Sequence, residues 1–428
     1  MRALVLLVSF WGFSLAAQSV GFIPNLPAAP KVDGELGKDE WGGALAVSCF
    51  AEKNKSLSPN EYGPLGSQAW IGKTASALYV AFSCRHDRRD MAFSTVAEDD
   101  GPVYSDDCVE VFLDTKGKRQ DYYHVIANVN GAVYDAHNEP LTGPRLDWSS
   151  GTKAAGKRLK DGFVIEMAIP LSSLALGENE GGMINLNLCR EIRYLHSAQG
   201  CFGDYHAPLT WQTFQMEGMG KDKYPVALDA VKWSDLPGRN EAEFTLRNLS
   251  GKPLALKAVY VLRQGDKQER QNLDVALGVG QTRGFKVAAT VVGAVPAQQR
   301  LAVLDAGGKE ILSAGRKFTP RQIAAITLDS DVLLQGEKPC LGVKLNIPDS
   351  EKTDNYALGI MVQDCDKREL LRLGFDKIPR DGFQEALDIS AVARGKRDIL
   401  LKCELKSSGE VLQEKVFPVR LLASPWCE

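Results

Sequence analysis

The amino-acid sequence predicts a nearly all-β protein built from more than one sandwich-type domain, and three observations carry that prediction. Helical periodicity is scarce along the 428 residues; short alternating apolar runs bounded by Gly, Pro, Asn and Asp dominate instead. The chain is roughly three times as long as a domain of ~150 residues, so two or three separate cores are expected. With 44% apolar and 25% charged residues the composition is that of ordinary globular protein, not of a disordered chain.

Taken in order, the first residues read as an export signal. Arg2 gives a positive start, Ala3 to Ala16 is almost unbroken apolar chain, and Ser14-Leu15-Ala16-Ala17 supplies the small residues that signal peptidase needs. The run falls short of the ~20 residues of a membrane span. Residues 1–17 are therefore expected to be a signal peptide, and the mature chain to be secreted, periplasmic or on the cell surface. A net charge of −3 offers no basic footprint for nucleic acid. Export permits disulfides, and there are nine cysteines. No Cys-x-x-Cys occurs, so a metal-thiolate site is not expected. The odd count leaves at least one thiol unpaired within the chain.

Clear strands follow at Ala77–Cys84, Cys108–Asp114, Tyr122–Asn128, Phe163–Ile169 and Asn185–Arg190, with Gly131 and Gly162 where turns are needed. The run from Pro170 to Leu174 reads as a brief helical turn. Near Tyr224–Leu228 the character changes. Strands at Glu243–Leu246, Leu256–Leu262 and Phe285–Ala289 then alternate with polar turns, a spacing that suits an immunoglobulin-like sandwich of about 100 residues. Thr319-Pro320-Arg321 reads as a linker, and a second such unit follows, with strands near Cys340–Ile347, Tyr356–Val362, Ile399–Glu404 and Glu414–Leu421. The expected division is 18–228, 229–321 and 322–428.

Catalytic signatures are missing: there is no Gly-x-Ser-x-Gly, His-Glu-x-x-His or phosphate loop. Two strands nevertheless draw the eye. In Cys108–Asp114 the two-residue period puts Val109, Val111 and Leu113 on one face, with Glu110 and Phe112 on the other. In Tyr122–Asn128 it gathers Tyr122, His124, Ile126 and Asn128 opposite Tyr123, Val125 and Ala127. A polar-aromatic face beside an apolar one is what a half-exposed sheet needs. It is also what a sugar groove needs, because pyranose rings offer C–H faces to aromatics and hydroxyls to amides and carboxylates. No partner for His124 is visible in the sequence. Glu98, Asp99 and Asp100, with Asp106 and Asp107, have the oxygens that calcium takes but not the regular spacing of a calcium loop.

The stretch Val32-Asp33-Gly34-Glu35-Leu36 with Asp39-Glu40-Trp41 resembles the opening of family 9 carbohydrate-binding modules. Leu78–Phe82, Ser105–Asp114, Tyr122-Tyr123-His124, Asn128 with Gly131, Asp161–Pro170 and Asn187–Arg190 continue the likeness in order. It covers roughly Ala28 to Leu228. The resemblance implies a jelly-roll-like β-sandwich, structural calcium, and a terminal sugar clamped between two aromatic walls. Carried over by position, Glu110 and Asn128 match polar sugar contacts, Trp211 one wall, and Tyr104 the other. Arg190 is a further donor. Ile126 stands where such modules place an arginine, and Trp41 lies in the opening motif as a core anchor; Trp148 is ambiguous.

These readings converge on a non-catalytic, secreted carbohydrate-binding protein linked to polysaccharide breakdown, with a glycan or polysaccharide as partner. The C-terminal sandwiches would be spacers, or docking modules for a partner protein. Three other readings stay open: a structural module at the cell surface, a haem-binding sandwich using Met91 with His86 or His206, and a glycoside hydrolase. The last needs a second carboxylate opposite Glu110, and no sequence pattern supplies one.

Overall fold

The structure, a computed structural model, describes residues 20–423 apart from 38, 49, 53–65, 87–91, 141–142, 146–147, 194–196, 234, 294, 350–351 and 408. The expected signal peptide, Cys49, Cys427 and Met91 lie outside the described residues. Strands dominate, as the alternation predicts. Among the described residues the one α-helical stretch is Ser390–Ala393, and no helix is long and apolar enough to cross a membrane. The chain divides into two compact units at Pro225 and Val226.

The first unit is a two-sheet sandwich. One sheet runs in the order 21–22, 212–215, 183–192, 108–114, 122–128, 133–139 and 143–145; strands 197–200 and 51–52 extend it beside 183–192. The other runs 153–159, 162–170, 77–85, 67–73, 45–47. The predicted strands Cys108–Asp114 and Tyr122–Asn128 are found with those bounds, and the turn after Pro170 is a 3-10 turn over Leu171–Ser173. Val109, Val111, Leu113, Val125, Leu186 and Leu188 of the larger sheet meet Val80, Phe82, Ile165 and Met167 of the smaller one in a single core. Each such side chain contributes about 1.5–3 kcal/mol on burial.

The opening motif is hung on the back of the smaller sheet. Glu166 is fully buried there. Its carboxylate accepts the backbone N–H groups of Asp33 at 3.1 Å and Gly34 at 2.9 Å, and Trp41 Nε1–H at 3.0 Å. Gly34 adopts φ +83° and would drive a Cβ to 2.8 Å from the Gly156 backbone, so only glycine fits that turn. Trp41 is buried beside Leu26, Tyr79 and Ala81.

The second unit holds two hydrophobic cores, one drawn from residues 226–312 and one from 323–421. Around the first, strands 226–232, 238–248 and 282–291 form one sheet; 267–277, 254–264, 297–304 and 310–318 form the other. Around the second, 324–328, 340–345 and 383–386 face 332–334, 410–422, 398–407, 356–363 and 369–375. The plan repeats: strands one, two and five oppose strands four, three, six and seven, with 332–334 added parallel to the last. These are the two smaller sandwiches expected from sequence.

Candidate functional site

On the outer face of the larger sheet, side chains two residues apart stand together, and the register sets who meets whom. Glu110 pairs across with Ile126 on one side and Cys189 on the other. Phe112 pairs with His124, and Glu191 pairs with Cys108. Above this face lies a cleft of about 410 Å³. Its floor is Glu110, His124 and Ile126; Tyr134 and Asn138 come from the next strand, Glu191 from the other side, and Tyr104, Tyr205 and His206 from turns.

At the bottom, His124 Nε2 lies 2.6 Å from Glu110 Oε2. A carboxylate only accepts, so Nε2 carries the hydrogen. The His124 ring stacks on Phe112 with centroids 4.0 Å apart and 13° between planes, which fixes its orientation. The sequence showed no partner for His124; cross-strand register supplies one. His206 packs edge-on to His124 at 5.1 Å and its Nδ1 shares a 2.8 Å hydrogen bond with the Tyr122 hydroxyl. It adopts φ +49°, a left-handed conformation that costs a non-glycine residue about 1–2 kcal/mol and that tends to occur at functional sites. Burial, then the neighbouring His124, lower the His206 pKa.

Two polar groups are poised toward the cleft. Burial and then the charge of Glu110 push the Glu191 carboxyl up to about 7, opposed by a hydrogen bond with the Tyr205 side chain. Asn138 is 9% exposed, and its Nδ2 has no hydrogen-bond partner. A buried donor left unpaired costs about 1–3 kcal/mol. It is the kind of group that a ligand oxygen satisfies.

The five residues selected from sequence part company here. Glu110 and Tyr104 line the cleft. Tyr104 is 57% exposed at the rim and meets Tyr134 edge-on at 5.7 Å. Trp211, expected as a sugar wall, is 0% exposed. It packs on Phe112 and Tyr122 at 5.4 and 5.0 Å, and its Nε1 donates to the Asp204 carbonyl at 2.7 Å. Trp211 is therefore an anchor for the loop bearing Tyr205 and His206, not a stacking surface. Arg119 fastens the same loop by donating to the Pro208 and Trp211 carbonyls at 2.8 and 2.9 Å.

Asn128, expected as a sugar contact, is fully buried and fully used. Its amide donates to the Val96 carbonyl and Asp106 Oδ2, and accepts from the Asn130 and Ala132 N–H groups. Arg190 is a correction as well. It points the other way, between the sheets, where it donates to Ser67 Oγ at 3.1 Å and the Arg85 carbonyl at 2.9 Å. Glu191, Asn138, Tyr134, Tyr205 and His206 were missed. Extending the alternation one residue past Arg190 would have found Glu191; the two loop residues carry no period to read.

Two of the acidic residues singled out for calcium, Asp106 and Asp107, are engaged by donors within the protein. Asp106 accepts the N–H groups of Thr95 and Val96 and the Asn128 amide; Asp107 accepts those of Phe93 and Arg193. Among the described residues no three His, Cys, Asp or Glu side chains converge as a metal site. His86 sits against Phe163 and Asp107; Met91, its expected partner in a haem-binding sandwich, lies outside the described residues. Cys201 is disulfide-bonded, while Cys84, Cys108, Cys189, Cys340, Cys365 and Cys403 are free thiols.

Residues 32–190 match the family model described as carbohydrate family 9 binding domain-like. No curated protein matches the chain. Among solved structures, the chain is similar to a family 9 carbohydrate-binding module from Caldicellulosiruptor kristjanssonii in complex with cellotriose, at 16% identity over 50% of this chain and 100% of that one, with a TM-score of 0.34. It is also similar to a carbohydrate-binding protein, so far assigned only provisionally, from Bacteroides uniformis, at 17% identity over 46% of this chain and 97% of that one, with a TM-score of 0.38. Residues 32–190 of this chain are thus a carbohydrate family 9 binding domain-like domain, followed by further β-sandwich segments.

Proposed function

We propose that this protein binds carbohydrate without cutting it, at the cleft over Glu110 and His124, and that it does so outside the cytoplasm in the service of polysaccharide breakdown. The observation that carries the reading is the cleft itself: an aromatic rim and a buried, unpaired Asn138 amide on the outer sheet face of the family 9-like domain. Tyr104 and Tyr134 offer apolar surface to a pyranose face. Glu110, Glu191 and Asn138 offer the polar contacts that fix hydroxyls.

The arrangement favours binding over hydrolysis. Glu191 is the second carboxylate that no sequence pattern supplied, yet it rises from the same sheet face as Glu110, on the neighbouring strand. Glycosidases place their two carboxyl groups on either side of the scissile bond. The two C-terminal sandwiches serve in this reading as spacers or as docking modules for a partner protein. A glycan array probed with the wild type, Tyr104→Ala and Glu110→Gln tests it. Binding that both variants weaken is expected; an array on which the wild type is silent would sink the proposal.

A further inference from the structure

From the charge around this cleft we infer that its preferred sugar carries an amino group, and that acidic sugars are excluded. The inference rests on the carbohydrate-binding reading and adds the chemical class of ligand. Among the described residues lining the cleft there are two carboxylates, Glu110 and Glu191, and no lysine or arginine. Ile126 lies at the floor, where a cation would offset them. The other groups facing Glu191 are His124, already engaged by Glu110, His206, whose pKa is lowered chiefly by burial, and the neutral Tyr134 and Tyr205. No lysine or arginine is among them to supply a standing positive charge.

An ammonium on the ligand answers that arrangement. Opposite charges in a half-buried site attract more strongly than at an open surface, and a carboxylate on the ligand is repelled to a similar degree. The elevated pKa of Glu191 has burial as its first cause and Glu110 as its second; a ligand cation seated between the two carboxylates relieves the second. The unpaired Asn138 amide then donates to a hydroxyl or ring oxygen of the same sugar, which orients it.

Three trimers with one linkage test the idea by titration calorimetry on the full chain: cellotriose, its glucosamine counterpart, and its C6-carboxylate counterpart. The glucosamine trimer is expected to bind about tenfold tighter than cellotriose, which corresponds to ~1.4 kcal/mol, and the acidic trimer not at all. In Glu191→Gln, whose folding is checked by its melting temperature, the ratio of the first two affinities falls to near unity. At about pH 6, where free Glu191 still holds its proton, seating the ammonium expels that proton to the buffer. Binding heats in buffers of different ionisation enthalpy then report about one proton released for the glucosamine trimer and none for cellotriose.

Equal affinities for cellotriose and the glucosamine trimer overturn the inference while leaving the carbohydrate reading intact. So does a preference that survives in Glu191→Gln, or an acidic trimer that binds as well as the amino one. Silence on all three trimers overturns the inference, while the carbohydrate reading stands or falls on the glycan array.

Discussion

Arg190 and Glu191 are consecutive residues on one strand, and the strand period sends them to opposite sides of the same sheet. Arg190 goes inward. It is fully buried, its guanidinium donates to Ser67 and Arg85 of the facing sheet, and it lies over the Phe163 ring at 5.4 Å. Glu191 goes outward into the cleft, where burial and Glu110 raise its pKa. The difference teaches that polar residues on adjacent positions can serve unrelated ends. Inside, the terminal nitrogens of Arg190 are spent on acceptors of the facing sheet and help specify how the two sheets seat. Outside, the Asn138 donor and a costly carboxylate charge leave interactions for something else to complete.

The comparison yields graded expectations. The largest effect belongs inside: Arg190→Ala, leaving the Ser67 and Arg85 acceptors buried and unmatched, is expected to cost about 4 kcal/mol in urea unfolding. A loss below about 1 kcal/mol would mean that the inner face does not depend on this cation. Next comes Trp211→Ala, which straddles the two roles. It should cost about 3–4 kcal/mol as a large buried side chain and weaken sugar binding as well, because Tyr205 and His206 lose their anchor. Loss of binding with an unchanged melting temperature would return Trp211 to the sugar wall. Glu110→Gln is expected to leave stability within about 1 kcal/mol and to weaken binding roughly tenfold or more.

The smallest effect is a pH dependence. Because the folded Glu191 pKa lies near 7 against an ordinary value of 4.5, the folded state holds its proton longer than the unfolded chain does. Its contribution to stability is fully present below 4.5 and is lost as pH rises through 7. Thermal melts of the wild type should therefore decline across that window relative to Glu191→Gln; parallel curves would show that Glu191 meets water more freely than the cleft geometry indicates.

Much of this architecture was legible because alternation is a local signal. Cys108–Asp114 and Tyr122–Asn128 announced both their bounds and their faces, and the outward placement of Glu110, His124 and Ile126 followed. Strand 267–277 escaped because it is a sheet edge whose first half is polar and exposed, leaving only Leu273, Val275 and Leu277 as a short apolar alternation. The site was half legible for a related reason. Whether an aromatic in a loop is wall or anchor depends on what the loop folds against, and the Asp204 carbonyl that captures Trp211 is set by closure of that loop. Asn128 and Arg190 likewise look like ligand contacts as residue types. They are spent on the loop at Val96 and on the opposite sheet, partners distant in sequence that no period reveals.

The anchorage of the opening motif on Glu166 has a consequence for how this domain comes into being. Trp41 and its acceptor are separated by 125 residues, so the opening motif lacks the carboxylate that fastens it until strand 162–170 is made. At ~5–20 residues per second, synthesis leaves the stretch from Asp33 to Trp41 waiting on the order of ten seconds for its partner. The Trp41 indole N–H and the Asp33 and Gly34 amides are without their acceptor throughout that interval. The opening motif is thus among the last parts of its domain to be secured, and a nascent chain stalled before Glu166 leaves it unfastened.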